Sequence, residues 1–249
     1  MSERGWMEYG SEFDWKSNDA LFSDTPQGFV QDDWQLYRSG RDAMKAAARI
    51  IGGRRVLLPA LCCESMILPF AANGYDVDFY RLNPDLTGDE ADARAKLTDG
   101  TVLLYMRYFG IRPFTDEFLL SLRESGRGIM LVEDRTHDIV VPRSEGGFTP
   151  DAVLASLRKW GALPEGGMLR TGMGRCAAGA DACFGDTRRE VMEMKVRYLE
   201  TWEPELKKEF LGKLHGAERL LDESGEPCGM SAKYEALLRR IDFTALLAK

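Results

Sequence analysis

Residues 101–134 have the sequence TVLLYMRYFGIRPFTDEFLLSLRESGRGIMLVED and contain the pattern that decides the fold. Two apolar runs, TVLLYMRYFG and RGIMLVED, have the length and composition of buried strands. The stretch between them, FTDEFLLSLRESG, is helical in pattern and ends at a glycine. The segment therefore predicts a strand–helix–strand unit, the repeating element of a parallel sheet covered by helices.

The same alternation continues upstream of this unit. GRDAMKAAARIIGG predicts a helix with Gly52 and Gly53 as its stop, and RRVLLPAL predicts a short buried strand. CCESMILPFAANG predicts a helix that closes on Gly74, although Pro69 is unfavourable inside a helix. YDVDFYRL alternates as a strand does, and TGDEADARAKLTDG predicts a helix with Thr87 as its cap.

Two further strands, DAVLASLRK and GGMLRT, are predicted downstream. We therefore predict an α/β fold, a three-layer α/β/α sandwich around a mostly parallel sheet of about seven strands. Residues 1–36 are an irregular N-terminal segment, 37–185 form the α/β domain, and 186–249 are a charged, strandless helical segment. In such folds ligands bind at the carboxyl ends of the strands, which is where we look for functional residues.

Composition narrows the possible partners. The 249 residues include 33 basic and 40 acidic side chains, a net charge of -7 that disfavours binding to nucleic acid or to an anionic membrane. No apolar run approaches the roughly 18 residues that a membrane span needs, and the N-terminus lacks a signal-peptide core. The five cysteines lack metal-binding spacing and only two histidines are present, so we predict no metal site and a reduced, cytoplasmic environment.

Two predicted strand ends carry reactive side chains. LVED ends in Asp134, with His137 three residues later, and AVLAS ends in Ser156, shortly before Lys159. Taken separately, Asp134 is as well explained as a turn cap and Lys159 as a lysine that emerges into solvent. Together they suit pyridoxal phosphate, which needs a lysine amine for a Schiff base and a carboxylate for its pyridine nitrogen. Its phosphate needs hydroxyls and backbone amides at a helix start.

Five motifs in this order resemble the sugar aminotransferases of the DegT/DnrJ/EryC1/StrS group, within the fold-type-I pyridoxal-phosphate enzymes. The motifs are YRSGRDAMKAA, VLLPALCCES, YMRYFG, LVEDRTHD and SLRKWGALPEGG. The resemblance covers about residues 10–171 well and 186–249 more loosely.

The resemblance implies a role for each candidate site residue. Lys159, six residues before the Glu165-Gly166-Gly167 motif, would form the Schiff base and move protons. Asp134 would pair with the pyridine nitrogen, and His137 would lie near the 3-oxygen of the ring. The phosphate contacts are expected from three residues, Ser65, Met66 and Ser156. The resemblance provides no secure candidate for the aromatic residue that stacks on the ring.

The implied activity is transfer of an amino group from a donor such as glutamate to a keto substrate, for which the family suggests a nucleotide-linked keto sugar. The family also implies a homodimer, with the helices after residue 186 as part of the contact. Two alternatives stay open: another pyridoxal-phosphate reaction, such as that of a lyase or dehydratase, and a truncated, non-catalytic binding or interaction protein without the family's small C-terminal domain. Lys159 argues against the dehydratases, which replace this lysine.

Arg158, next to Lys159, is not general in the family. Its cation either lowers the pKa of the lysine or pairs with a nearby carboxylate.

Overall fold

The computed structural model describes residues 12–18, 22–25, 27–28, 30–139 and 148–242. Its centre is a seven-stranded sheet in the order β1-β7-β6-β5-β4-β2-β3. All neighbouring strands from β6 to β3 are parallel, whereas β7 runs antiparallel to both of its neighbours, β6 and β1. The strands are β1 (Gln35–Tyr37), β2 (Arg55–Pro59), β3 (Asp76–Tyr80), β4 (Val102–Met106), β5 (Met130–Asp134), β6 (Ala152–Ser156) and β7 (Gly167–Thr171).

Helices cover both faces of the sheet. One core packs α1 and α2 against Val56, Leu104 and Leu154, and a second packs α3 and α4 against Leu57 and Leu103. This confirms the predicted three-layer α/β fold with a mostly parallel sheet. The helices are α1 (Gly40–Ile51), α2 (Glu64–Ala71), α3 (Glu90–Lys96), α4 (Asp116–Glu124), α5 (Ala182–Thr201), α6 (Pro204–Glu223) and α7 (Ala232–Leu238). None of these helices has both the length and the apolar composition needed to cross a membrane.

The predicted helix boundaries are correct at one helix and wrong at another. Helix α1 begins after Ser39, whose hydroxyl accepts a hydrogen bond from the N–H of Asp42, and ends at Gly52 in the left-handed conformation, as predicted. Thr87, the predicted cap of α3, is not the cap. Asp89 caps α3 by accepting from the N–H of Asp92, because the Thr87 hydroxyl is engaged in a turn with Asp85.

Strand β1 lies within a stretch whose pattern predicts no strand. It has only three residues, pairs antiparallel with β7 at the sheet edge, and begins at Gln35, inside the segment 1–36 that the pattern marks as irregular. A strand this short carries too little alternation to be detected from its own residues.

The predicted boundary between the α/β domain and the C-terminal helical segment falls between residues 185 and 186. Both residues lie within helix α5.

The carboxyl ends of β4, β5 and β6 lie side by side. Met106 is in register with Asp134, and Asp134 with Leu154, two residues before the end of β6 at Ser156. Helix α2 starts five residues after β2, at the same edge of the sheet because β2 is parallel to β4. This edge therefore combines strand-end side chains with a helix N-terminus.

Candidate functional site

A cleft of about 970 Å³ opens at the carboxyl ends of these strands. It brings together all six side chains that the sequence singles out, and their individual roles stay predictions. They are Ser65, Met66, Asp134, His137, Ser156 and Lys159. Segments 64–66, 134–137 and 156–159 are far apart in sequence, so it is the parallel sheet that places them together.

Asp134 is a buried carboxylate at the end of β5. Only 1% of its surface is exposed, and one oxygen accepts a 2.8 Å hydrogen bond from the N–H of Thr136. Burial raises the pKa of Asp134 to about 6, although the hydrogen bonds from Thr136 and the charge of Lys159 lower it. A carboxylate in this position is stabilised by any cation that enters the cleft.

Thr136 joins the two strand ends that carry the site. Its Oγ1 accepts a 3.1 Å hydrogen bond from the N–H of Ser156, and its carbonyl accepts a 2.7 Å bond from Nε1 of Trp160. These bonds fix the turn after β5 against the turn after β6, and so fix Asp134 relative to Lys159. Thr136 is not among the predicted site residues; its only signal in the sequence is a hydroxyl residue in the tight turn EDRTHD.

Lys159 ends a short 3-10 helix, Leu157–Lys159, that follows β6 directly. Its side chain is exposed and lines the cleft. The N–H of Leu157 donates a 2.7 Å hydrogen bond to the carbonyl of Gly166, which ties this helix to the start of β7. An accessible amine is thereby presented on a fixed backbone.

Glu165, in the same SLRKWGALPEGG motif as Lys159, lies outside the cleft lining. It is buried and accepts a 2.8 Å hydrogen bond from the N–H of Ser231, next to α7, rather than lining the cleft. Burial raises the pKa of Glu165 to about 6, although the bonds from Ser231 lower it. Glu165 therefore connects the C-terminal segment to the sheet.

His137 and Phe109 form a stacked pair at the cleft. Their ring centroids are 5.0 Å apart and their planes differ by 18°. Nδ1 of His137 is buried and has no hydrogen-bond partner within the described parts of the chain. Burial, together with the charge of Lys159, lowers the pKa of His137. Phe109, an aromatic residue that the sequence analysis did not single out, is 75% exposed.

The α1 N-terminus packs on the ends of β6 and β7 without space for side chains. A Cβ added to Gly167 would lie 2.0 Å from the carbonyl oxygen of Ser39, and one added to Gly40 would lie 2.8 Å from Cβ of Ser156. Ser39, Gly40 and Ser156 all line the cleft. These glycines permit the close approach that brings α1 to the site.

The start of α2 forms another part of the lining. Ser65 and Met66 are in its first turn, and the N–H of Met66 donates a 2.9 Å hydrogen bond to the carbonyl of Cys63. Oγ of Ser65 lies 2.9 Å from Sγ of Cys63, and the Tyr108 hydroxyl donates to the carbonyl of Leu61 just before the helix. The helix start is therefore held at the cleft, in an arrangement suited to an anion.

Arg158, next to Lys159 in the sequence, also lines the cleft. Its guanidinium pairs with Glu218 on α6 and lies over the ring of Phe184, 5.3 Å from the centroid. The sequence leaves two hypotheses for Arg158, an effect on the neighbouring lysine and an ion pair with a carboxylate. The structure shows the ion pair. The N-terminal side chains of Glu12 and Phe13 also line the cleft, whereas residues 1–11 lie outside the described part.

Comparisons with known proteins establish the fold. Neither the models of protein families nor the curated proteins include a match. Among solved structures, DesV of S. venezuelae, in complex with a ketimine intermediate, matches 92% of this chain and 58% of its own, with a TM-score of 0.57 and 19% identity. The likeness at this identity supports the same fold and nothing finer.

Two other solved structures match shorter parts of the chain. A putative sugar aminotransferase from Streptococcus pneumoniae in its PLP form has a TM-score of 0.47 and 16% identity over 68% of this chain and 47% of its own. A 3-amino-5-hydroxybenzoic acid synthase has a TM-score of 0.49 and 18% identity over 55% of this chain and 38% of its own. The chain spans less than two thirds of the length of each structure.

Proposed function

We propose that this chain is a pyridoxal-phosphate-dependent aminotransferase. It would move an amino group from a donor such as glutamate to a keto substrate, for which the resemblance suggests a nucleotide-linked keto sugar. The observation that carries the proposal is the convergence of an accessible amine, a buried carboxylate and an imidazole on one cleft: Lys159, Asp134 and His137. The fold shared with DesV agrees with it.

The residues present fit the cofactor. Asp134 is a buried carboxylate without a cationic hydrogen-bond partner among the described residues, and a protonated pyridine nitrogen would provide one. Nδ1 of His137 is a buried polar atom without a partner in the described chain, suited to an oxygen on the ring. The hydroxyls of Ser65 and Ser156 and the α2 start suit a phosphate. Pyridoxal phosphate would supply an electron sink for the substrate carbon.

Each residue would then have a distinct task. Lys159 would hold the aldehyde carbon covalently and, when its amine is free, carry the proton that leaves and returns to the substrate carbon. Asp134 would keep the pyridine nitrogen protonated, because its charge in a buried position favours a cation beside it. The Thr136 bonds would hold these two groups at a constant separation.

We also propose that a second copy of the chain covers the cleft. Leu61 and Phe109 are large apolar side chains that line the cleft and remain exposed. An interface between copies would bury them, in agreement with the homodimer that the family resemblance implies. Sedimentation of the protein loaded with pyridoxal phosphate tests this: a mass of one chain would contradict the dimer.

The half-reaction with the amino donor alone tests the proposed activity. Protein loaded with pyridoxal phosphate should acquire visible absorbance, and glutamate should remove it by converting the cofactor to its amine form. Loaded protein that keeps its absorbance with a panel of amino acids would instead favour the non-catalytic binding protein. Loss of the absorbance without formation of a keto acid would favour a different pyridoxal-phosphate reaction.

A further inference from the structure

Three arginines surround one carboxylate on a wall of the same cleft. Oε1 of Glu218 lies 2.6 Å from Nη1 of Arg188 and also pairs with Arg158, while its Oε2 lies 3.2 Å from Nη1 of Arg41. The four side chains line the cleft together with Lys159. We call Arg41, Arg158 and Arg188 the arginine cluster. Its place in the cleft is set by helices α1 and α5 and by the turn after β6, while Glu218 is on α6.

The arginine cluster has donor capacity that Glu218 does not use. Nε of Arg158 and Nε of Arg188 are buried, and neither has a hydrogen-bond partner in the part of the chain that the structure describes. Arg188 also pairs with Glu12, so its outer nitrogens are engaged while its inner one is not. Burial, together with the charge of Arg158, lowers the pKa of Arg188 to about 10, although the charges of Glu12 and Glu218 raise it.

Glu218 is the member of the group with most access to solvent. Its side chain is 27% exposed, whereas those of Arg158 and Arg188 are 12% and 5% exposed. Rotation of this side chain would place its carboxylate in water and leave the guanidiniums buried. An anion from solution that took its place would replace one carboxylate with another group of the same charge, so the exchange avoids leaving buried charges uncompensated.

We propose that the arginine cluster binds the carboxylate or phosphate group of the substrate, and that Glu218 occupies this position until the substrate arrives. Guanidinium groups bind planar and tetrahedral anions through paired N–H donors, which gives orientation as well as affinity. The arginine cluster and Lys159 line the same cleft, so an anion held by the cluster lies in the cleft that contains the amine. The inference extends the proposed function by naming the substrate class, and it rests on that function only for the identity of the reaction.

Calorimetric titration of the cofactor-free protein with glutarate tests this assignment. Glutarate is a dicarboxylate without an amine or a keto group, so it binds without reacting. Because Glu218→Gln removes the resident charge, we expect it to bind glutarate about tenfold more tightly than the unmodified chain does. Arg158→Met and Arg188→Met should bind it at least about tenfold more weakly, and Arg158→Lys should fall between.

The matched control is Arg219→Met, which removes the same charge from the neighbouring position on α6. It should bind glutarate as the unmodified chain does. Unfolding curves identify variants that do not fold. A gain in affinity for glutarate in Glu218→Gln cannot result from misfolding. Unchanged affinity in Glu218→Gln, or equal losses in Arg158→Met and Arg219→Met, would overturn the proposal.

A parallel titration with uridine diphosphate distinguishes the two sources of the anion. Binding of glutarate alone would assign the arginine cluster to the carboxylate of an amino donor, and binding of the nucleotide alone would assign it to the phosphate of the acceptor. Binding of neither would overturn the proposal. Pyridoxal phosphate could give no visible absorbance while the affinity for glutarate still rises in Glu218→Gln and falls in Arg158→Met. That result would support the anion site and contradict the proposed function.

Discussion

The N–H of Ser156 donates a 3.1 Å hydrogen bond to Oγ1 of Thr136, and this bond joins the ends of strands β5 and β6. Asp134, two residues before Thr136, is proposed to bind the cofactor ring. Lys159, three residues after Ser156, is proposed to bind its aldehyde. The same hydroxyl also lowers the pKa of Asp134 through a hydrogen bond. Position and charge at the site therefore depend together on one side chain that does not itself react.

Thr136→Val tests this connection. Valine keeps the shape of threonine, but it leaves the Ser156 N–H without an acceptor and removes a donor from Asp134, so we expect a loss of about 1–3 kcal/mol in the free energy of unfolding. The affinity for pyridoxal phosphate should fall as well. Urea unfolding and cofactor titration measure the two effects. Thr187→Val on α5 is the control and should change stability by no more than about 0.5 kcal/mol.

The buried carboxylate of Asp134 should cost stability in the cofactor-free protein. Its pKa rises from 3.8 to about 6 on folding, so the folded state holds the proton more tightly and this group's contribution to stability falls as pH rises through that interval. Asp134→Asn should therefore be more stable than the unmodified protein at pH 7, by up to about 3 kcal/mol. The difference should disappear below about pH 4.

Pyridoxal phosphate should reverse the order of these two proteins. It should stabilise the unmodified chain by binding only its folded state, whereas Asp134→Asn lacks the charge that retains it. Urea unfolding across pH, with and without the cofactor, measures both effects. Asp99→Asn, at an exposed surface pair with Arg127, serves as the control. An Asp134→Asn variant that is less stable at pH 7 would show that the carboxylate is already compensated.

Gly167→Ala tests the close packing of α1 on the strand ends. The added Cβ would meet the carbonyl oxygen of Ser39 at 2.0 Å, so backbone must move, at a cost of about 3 kcal/mol. Because Ser39 lines the cleft, cofactor affinity should fall too. Gly172→Ala, where an added Cβ meets nothing within 4 Å, should preserve both stability and binding. Equal effects of the two substitutions in urea unfolding would refute the packing argument.

Phe109→Ala should affect the site with little effect on stability. Its ring is 75% exposed in a single chain, so for the monomeric, cofactor-free protein we expect a change of no more than about 0.5 kcal/mol in the free energy of unfolding. It covers His137, and its removal should raise the pKa of that imidazole towards its ordinary value of 6.5 by admitting water. The chain has two histidines, so His215 provides an internal reference in an NMR pH titration. An unchanged His137 titration would rule out this shielding.

The sequence predicts that these residues meet, because strand ends in a parallel sheet lie at one edge, whereas their roles stay predictions. Asp134, Ser156 and Lys159 follow strands whose apolar runs are clear, so their meeting follows from topology. The arginine cluster does not follow from any local pattern, since Arg158 and Glu218 are 60 residues apart. Its formation depends on how α5 and α6 pack beside the sheet.

Contacts between neighbouring segments explain why the sequence predicts the wrong cap for α3 and does not predict strand β1. Thr87 and Asp89 are both good capping residues two positions apart, and the turn that binds Thr87 to Asp85 decides between them. Strand β1 exists because β7 offers it an edge, which three residues alone do not indicate. The contact of Phe109 with His137 depends on the turn after β4, where Phe109 has a φ of 51°.

The covalent site of pyridoxal phosphate can be located directly on the protein. The loaded protein is reduced with borohydride, which makes a lysine adduct permanent, and its peptides are analysed by mass spectrometry. We expect the added mass on Lys159, with loss of both adduct and visible absorbance in Lys159→Ala and retention of both in Lys208→Ala. An unmodified Lys159, or an adduct that persists in Lys159→Ala, would contradict it.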